Sequence, residues 1–474
     1  MPDDIYDLIV IGAGPGGYTA AIRAAQLGMK VAVVEKRTML GGVCINEGCI
    51  PSKALLDSSE LFAQARDGFA RHGIVTGELR FDLAGMMARK DEIVKKLAGD
   101  IAFLFKKNRI QRLAGAGRLA GSRRDGLQVV AVATAESPAI PRLINGRRVL
   151  LATGSRPVEL PALPFDGETV ISSREALSLP AVPARLGIVG AGQVGLEMGS
   201  LWKRLGADVT IVETLGTILP GGDRQVGEAL LQALTKQGIR FLFQSQTSDA
   251  SVNGGTVLLT VSSGDTVEEI RCDKVLVAAG RVPETSGLGL AEAGVSVDET
   301  GRISVDINYE TDCPGVYAIG DLVRGQLLAH KAMHEGAVFA ERLAGQASEV
   351  EYDYLPLVTY TCPETASVGM TEEQLQEAEI PYRAGRFPFS ANGRARCLDG
   401  TEGFVRILTR KDTGRVAGIH IIGPRASELI AEAVTVMSYG GSAEDIAMTF
   451  HAHPTLSEAI REAALDSLTR GIHV

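Results

Sequence analysis

Two stretches of the chain repeat one pattern of apolar and polar positions. Residues 7–35 read DLIVIGAGPGGYTAAIRAAQLGMKVAVVE. Residues 185–213 read RLGIVGAGQVGLEMGSLWKRLGADVTIVE, offset by 178 with no gap. Each begins with a short apolar run bounded by Gly-Ala-Gly, which predicts a buried strand. A helical stretch comes next, then Leu-Gly, then a second apolar strand ending in Glu. Each block therefore reads as one βαβ unit. Gly28 and Gly206 end the two helices, where a residue without Cβ can take the left-handed conformation.

Both units hold G-x-G-x-x-G: Gly12, Gly14 and Gly17 in the first, Gly190, Gly192 and Gly195 in the second. The first glycine permits a tight turn, the second lets backbone approach a pyrophosphate, and the third lets helix pack on strand. The helix N-terminus offers free N–H groups and a positive dipole end. Glu35 and Glu213 each lie 23 residues after the first glycine, where a carboxylate can accept from ribose hydroxyls. Two copies in register imply two dinucleotides. Glu213 would repel a 2′-phosphate, and Thr214-Leu215-Gly216-Thr217 offers no Arg to receive one, so the second site favours NAD over NADP.

The length of 474 residues suggests about three domains. Its 55 glycines, about 12% against a usual ~7%, have no collagen-like period, which fits phosphate-approaching turns. The net charge of -9 disfavours a general nucleic-acid binder. No apolar run nears the ~20 residues of a membrane span. The acidic start, Met1-Pro2-Asp3-Asp4, resembles neither a signal nor a transit peptide. Six cysteines in so long a chain do not make a disulfide framework. These features together predict a cytoplasmic protein.

Cys44 and Cys49 stand apart from the scattered Cys272, Cys313, Cys362 and Cys397. A zinc knuckle would show a closer pair and a second pair nearby, so no metal is expected. Residues five apart on a regular helix are separated by about 8 Å, and a disulfide needs Cα atoms within ~7 Å. A bridge would thus require an irregular helix start, which Gly48 and Pro51 permit. A strained bridge is also more reducible. Two packed thiols and a redox-active pair both remain open on these grounds.

The run GGVCINEGCIPSKALL resembles the flavoprotein disulfide reductases, in particular those that oxidise dihydrolipoamide with NAD. The resemblance continues through Leu151-Ala152-Thr153-Gly154, Ala278-Ala279-Gly280-Arg281-Val282-Pro283, Val316-Tyr317-Ala318-Ile319-Gly320-Asp321, Leu328-Ala329-His330-Lys331-Ala332 and His451-Ala452-His453-Pro454-Thr455-Leu456-Ser457-Glu458. It covers essentially the whole chain. It implies an α/β fold with two Rossmann-like domains, for FAD and NAD, and a C-terminal α/β dimerisation domain. The implied order is an FAD domain at 1–155, an NAD domain at 156–282, a second FAD-side segment at 283–352 and an interface domain at 353–474.

Residue by residue, the resemblance gives the first glycine motif and Glu35 to FAD, with Gly154, Asp321 and Ala329. The second motif, Glu213 and Gly280 go to NAD. Cys44 would exchange with substrate and Cys49 would face the flavin. Lys53 would pair near the flavin with Glu197. His453 would be the base, oriented by Glu458 from five residues on; His451, His330 and His334 read as structural. The family's His belongs to the partner subunit, which implies a homodimer. Electrons would pass from dihydrolipoamide through a Cys44–Cys49 disulfide and FAD to NAD. The expected partner is a lipoyl-domain-bearing acyltransferase or carrier protein, in 2-oxoacid dehydrogenase complexes or the glycine cleavage system.

The rivals are NADPH-dependent glutathione-, trypanothione- or mercury-reducing enzymes, or a flavin-binding redox-responsive assembly module. Glu213, the absence of cysteine after Cys397 and the intact Cys and His/Glu pairs count against them. Two positions depart from relatives. Cys362 stands where His or Glu is common. Glu47, where Val is common, would add negative charge beside a thiolate and raise its pKa.

Overall fold

The two repeats fold as the pattern predicts. In the computed structural model, which describes residues 5–134, 137 and 139–473, Ile5–Ile11 and Val31–Glu35 pair in parallel around the helix Pro15–Gln26. Arg185–Val189 and Asp208–Val212 do the same around Gln193–Arg204. Gly28 and Gly206 take φ of +89° and +108° just past the helix ends. The acidic start, residues 1–4, lies outside the described residues.

The chain divides into two compact units. The first comprises 1–54, 85–158 and 280–350. Its sheet runs Gln111–Ala114, Val31–Glu35, Ile5–Ile11, Arg142–Leu151, Gln128–Ala133, Ala116–Ser122, with Val316–Ala318 also pairing in parallel with Arg142–Leu151. Alternate residues of the first strand enter two cores. Leu8 and Val10 pack with Ala20, Ala21, Ala24 and Phe339; Ile9 and Ile11 pack with Val130, Val132 and Leu322. Burial on both faces explains why the strand is apolar throughout and does not alternate with polar residues. On one face Pro15–Gln26 crosses the helix Ala329–Leu343 so closely that a Cβ on Gly336 would lie 2.5 Å from the Gly16 carbonyl oxygen.

The second unit comprises 55–84, 159–279 and 351–474. One parallel sheet runs Arg240–Leu242, Asp208–Val212, Arg185–Val189, Lys274–Val277, Val170–Ile171. Beside it lies an antiparallel sheet of Gln246–Asn253, Thr256–Ser263 and Thr266–Cys272. The C-terminal part is a five-stranded antiparallel sheet covered by Ala426–Ser438 and Glu458–Ser467. Segment 55–84, expected with the FAD domain, groups with this unit, in which buried Arg204 donates to the Leu56 carbonyl at 3.3 Å and to Ser59 Oγ at 3.4 Å.

The C-terminal sheet is joined to the second Rossmann fold by a buried charge cluster. Arg406, 3% exposed, contacts Asp223 at 2.5 Å and Glu372 at 2.6 Å, and Asp223 also caps the helix Arg224–Lys236. Truncation of one partner leaves the other charge buried and unpaired. Arg406→Ala is expected to lose about 3–5 kcal/mol in denaturant unfolding. A loss below ~1 kcal/mol would show that the cluster is effectively solvated.

Candidate active site and dinucleotide cradles

The two glycine turns are built alike, atom for atom. Gly12 and Gly190 take φ of +103° and +110°, and a Cβ on either would lie 2.4 Å from a strand carbonyl, that of Ala152 or Ala278. A Cβ on Gly17 or Gly195 would lie 2.0 Å from the carbonyl of Gly12 or Gly190. The middle glycines differ in kind. Gly192 has nothing within 4 Å of a built Cβ, and Gly14 has only the Gly42 Cα at 3.9 Å. Each middle glycine is an N-cap with no side-chain acceptor for the first-turn N–H groups. Open space before a bare helix N-terminus fits a pyrophosphate.

The acids close both turns. Glu35 accepts from the N–H of Ala13 at 2.8 Å and of Arg37 at 2.9 Å. Glu213 accepts from Ala191 at 2.7 Å and Leu215 at 2.9 Å, with Thr214 Oγ1 at 3.1 Å. Both carboxylates are buried; each Glu35 oxygen and Glu213 Oε2 keep a lone pair for a ribose hydroxyl, whereas Glu213 Oε1 spends both on Thr214 and Leu215.

The cysteines sit directly on the first turn. Gly41 and Gly42 take φ of +101° and +60°, the Gly41 N–H donates to the Ala13 carbonyl at 2.9 Å, and a Cβ on Gly42 would lie 2.6 Å from the Gly14 Cα. A short helix, Gly42–Glu47, carries Cys44, and a second, Cys49–Asp67, begins with Cys49. Gly48, at φ -141° and ψ -111°, separates them, so the irregular start expected here is a full break. Asn46 braces the first turn through the Leu40 and Gly42 carbonyls at 3.1 and 2.8 Å.

The six cysteines stand as thiols, and Cys44 and Cys49 are hydrogen-bonded to each other, adjacent as a redox pair requires. Cys44 is half-buried and Cys49 exposed. The hydrogen bond to Cys49, with burial, pushes the Cys44 thiol well up, against the pull of Lys53. Glu47, expected to add negative charge beside a thiolate, does not stand alone. Its carboxylate is paired with Arg37 at 2.6 Å, and it acts electrostatically on Arg281.

Several groups around the pair were not singled out in the sequence. Burial, followed by the charges of Cys44 and Cys49, raises the Tyr18 phenol and places it beside the thiols. Arg281 donates through Nε to Ser155 Oγ at 2.8 Å and through Nη2 to the Ser155 carbonyl at 2.6 Å. Ser155 Oγ in turn donates to Asp321 Oδ2 at 2.5 Å. Burial lowers the pKa of Arg281, opposed by Asp321, Cys49 and Glu47. Lys331 and Glu335, both fully buried and 2.8 Å apart, hold the peptide before Asp321: Lys331 donates to the Gly320 carbonyl at 3.1 Å, and Glu335 accepts the Gly320 N–H at 2.7 Å. Ala329 opens their helix, and Gly154 and Gly280 take φ of +75° and +115° at strand ends. The buried Arg/Ser/Asp and Lys/Glu sets carry no local spacing signal.

In the second unit, Glu197 accepts from the Tyr360 N–H at 3.1 Å. His453 Nδ1 lies 2.9 Å from Glu458 Oε1, and Glu458 Oε2 accepts the Thr455 N–H at 2.8 Å. Burial opposes ionisation of Glu458, but the Thr455 N–H and the His453 ring outweigh it and its pKa falls. The carboxylate therefore fixes the ring and leaves Nε2 outward on a side chain 81% exposed. His451 is different: Glu432 at 2.7 Å and the Thr449 carbonyl at 3.0 Å occupy both ring nitrogens, which is a structural role. Tyr439, Met448 and Phe450, on the segment leading to His453, are exposed apolar side chains. Cys362 is exposed, and its carbonyl accepts from Gln237.

Two Rossmann folds, one with a dithiol seated on its phosphate turn, define a flavin- and nicotinamide-linked disulfide oxidoreductase. Residues 6–336 match the pyridine nucleotide-disulphide oxidoreductase model, and 355–464 match that family's dimerisation domain. The chain belongs to the pyridine nucleotide-disulphide oxidoreductase family and binds FAD and NAD(H). It is 45% identical over 473 residues to a mitochondrial dihydrolipoyl dehydrogenase of Pisum sativum, covering 99% of this chain and 93% of that one. It is 48% identical over 465 residues to dihydrolipoyl dehydrogenase 3 of Pseudomonas aeruginosa, covering 97% of each. Among solved structures, LpdA of Mycobacterium tuberculosis superposes with a TM-score of 0.89 at 29% identity, covering 96% of this chain and 98% of that one. Among the described residues no helix is long and apolar enough to cross a membrane, and no cluster of three or more His, Cys, Asp or Glu could hold a metal ion.

The two kinds of glycine separate folding from binding. Gly17→Ala and Gly195→Ala push a Cβ into backbone and should lower the thermal midpoint. Gly14→Ala and Gly192→Ala place it in open space. These two should keep the apoprotein's midpoint within a few degrees of the wild-type apoprotein's while losing flavin and NADH affinity respectively, as read by bound-flavin absorbance and NADH titration. Full flavin retention in Gly14→Ala would exclude that turn as the pyrophosphate site.

Proposed function

We propose that the chain is an NAD-dependent dihydrolipoyl dehydrogenase, oxidising dihydrolipoamide to lipoamide. The observation that carries this is the hydrogen-bonded Cys44/Cys49 pair fixed against the first dinucleotide turn. The 44–48% identity to dihydrolipoyl dehydrogenases from plants, a bacterium, an animal and an amoeba supports it.

The chain's own groups provide a complete thiol exchange. His453, held by Glu458 through Nδ1, takes a proton from one thiol of dihydrolipoamide through Nε2. The substrate thiolate attacks Cys44 of the bridged pair, breaking the S–S bond and releasing Cys49 as a thiolate. The second substrate thiol displaces Cys44 from the mixed disulfide, and cyclic lipoamide leaves. Cys44 keeps a proton and Cys49 the charge, the order that the raised Cys44 thiol favours. FAD and NAD, when bound, supply the carriers that remove the two electrons. Gly12, Gly14, Gly17, Glu35, Gly154, Asp321 and Ala329 would hold FAD, with Ser155 and Arg281 orienting Asp321. Gly190, Gly192, Gly195, Glu213 and Gly280 would hold NAD. Lys53, which acts on the Cys44 thiol, would flank the reacting centre.

The matched dimerisation domain and the exposed Tyr439, Met448 and Phe450 near His453 support a homodimer in which each His453 serves the partner's cysteines. An outward Nε2 also suits a lipoyl arm delivered by an acyltransferase or carrier protein.

Glu213 sets the nucleotide. Placing a 2′-phosphate beside its buried carboxylate costs several kcal/mol. NAD should exceed NADP by at least ~100-fold in kcat/KM; equal efficiency would remove Glu213 as the selector. The shared site has its own test. Cys44→Ser and His453→Ala chains, each inactive alone, should recover activity when co-expressed, because one site of each heterodimer is then intact. Confirmed heterodimers without activity would place both groups of a site in one chain.

A further inference from the structure

Glu47 is the last residue of the short helix that carries Cys44, and it lies between the two sulfurs in sequence. A carboxylate is the wrong charge for a helix C-terminus and for a loop that must carry a thiolate. The structure answers with Arg37, whose Nη1 lies 2.6 Å from Glu47 Oε1, both side chains being largely withdrawn from solvent at 29% and 19% exposure. Arg37 is itself fixed. Its backbone N–H donates to Glu35 at 2.9 Å, and its carbonyl accepts from Arg112 at 3.2 Å. The arginine that neutralises the dithiol loop is therefore anchored to the acid of the first dinucleotide turn.

We propose that the Arg37–Glu47 pair is an electrostatic clamp that sets how readily the Cys44–Cys49 disulfide is reduced, with Arg37 cancelling the carboxylate so that Arg281 remains available to the Cys49 thiolate. This rests on the thiol-exchange reading of the site. Reduction breaks the S–S bond with two electrons, supplied by the substrate dithiol, and one proton, which goes to Cys44. The product carries one negative charge, on Cys49. Every fixed charge near the loop therefore weighs on the reduced form more than on the neutral disulfide. The charged and titratable groups around the pair include Lys53 and Tyr18, which interact with the thiols, Arg281, which interacts with both Cys49 and Glu47, and the Arg37–Glu47 pair itself. Arg281 is held in place by Ser155, so it cannot move toward whichever anion is stronger. An unpaired Glu47 would compete with Cys49 for its field.

The two ways of breaking the clamp predict opposite signs. Glu47→Gln removes the negative charge and leaves Arg37 uncompensated, which favours the thiolate. Arg37→Met leaves Glu47 bare, which disfavours it. The full-length protein and its variants are equilibrated in glutathione buffers of graded ratio, quenched, alkylated and read by mass for the fraction of Cys44/Cys49 dithiol. Glu47→Gln should shift the exchange constant at least ~3-fold toward the dithiol, and Arg37→Met at least ~3-fold toward the disulfide. The double variant should return to within about twofold of the wild type. A loop held only by the mechanical link would move both single variants in the same direction, and that outcome, or no shift in either, overturns the clamp. Circular dichroism and bound flavin confirm that each variant is folded. Failure of the wild-type pair to form any intramolecular disulfide in the most oxidising buffer would overturn the thiol-exchange reading and the clamp with it; normal disulfide formation with unshifted variants overturns the clamp alone.

Discussion

The contact on which the site depends is the approach of two backbones. Gly42 and Gly14 come so close that a side chain on Gly42 would strike the Gly14 Cα at 2.6 Å. One glycine opens the dinucleotide helix and the other opens the dithiol helix. Their contact fixes the sulfurs relative to the phosphate turn without a flexible side chain between them. Gly41 adds a backbone hydrogen bond to Ala13, the residue whose own N–H is taken by Glu35. Turn, acid and dithiol loop are thus one backbone-bonded object, and thiol chemistry needs that rigidity because exchange requires sulfurs in line.

Charge is organised around this object in pairs. Arg37 takes Glu47, Arg281 reaches Asp321 through Ser155, and Lys331 with Glu335 brackets the Gly320 peptide. A fully buried ion pair is costly unless its hydrogen-bonding groups are satisfied. Lys331 and Glu335 bond the carbonyl and the N–H of one residue, Gly320, the neighbour of Asp321. The cationic groups left facing the thiols are Lys53 and Arg281, and both favour a thiolate.

The two Rossmann repeats show how one scaffold serves two tasks. Their glycine turns agree in the backbone hydrogen bonds through which each acid closes its turn. They differ in the segment beyond the acid. After Glu35 the chain enters the dithiol loop, and after Glu213 it runs on to the helix Arg224–Lys236. Function here resides in the graft on the fold. The loop before the helix Glu458–Ser467 carries the remaining graft, His453 with Glu458, near exposed apolar side chains that suit association.

The sequence by itself determined the two βαβ units, their glycine turns, the acids that close them, the paired cysteines and the His/Glu pair, because each is written in spacings of a few to some twenty residues. Local geometry turns such spacings directly into shape. It also showed that the cysteines needed a broken helix, and Gly48 supplied the break. Tertiary structure alone decided what faces the thiols. Ser155 lies 126 residues from Arg281 and 166 from Asp321, so no periodicity links them. Glu47, expected to burden the thiolate, is neutralised by an arginine that only the folded turn brings within 2.6 Å. Segment 55–84 groups with the second unit, whose Arg204, distant in sequence, donates to the Leu56 carbonyl. Backbone conformation is set by near neighbours, whereas the electrostatic surroundings of a reactive group are set by whichever charges the fold places next to it.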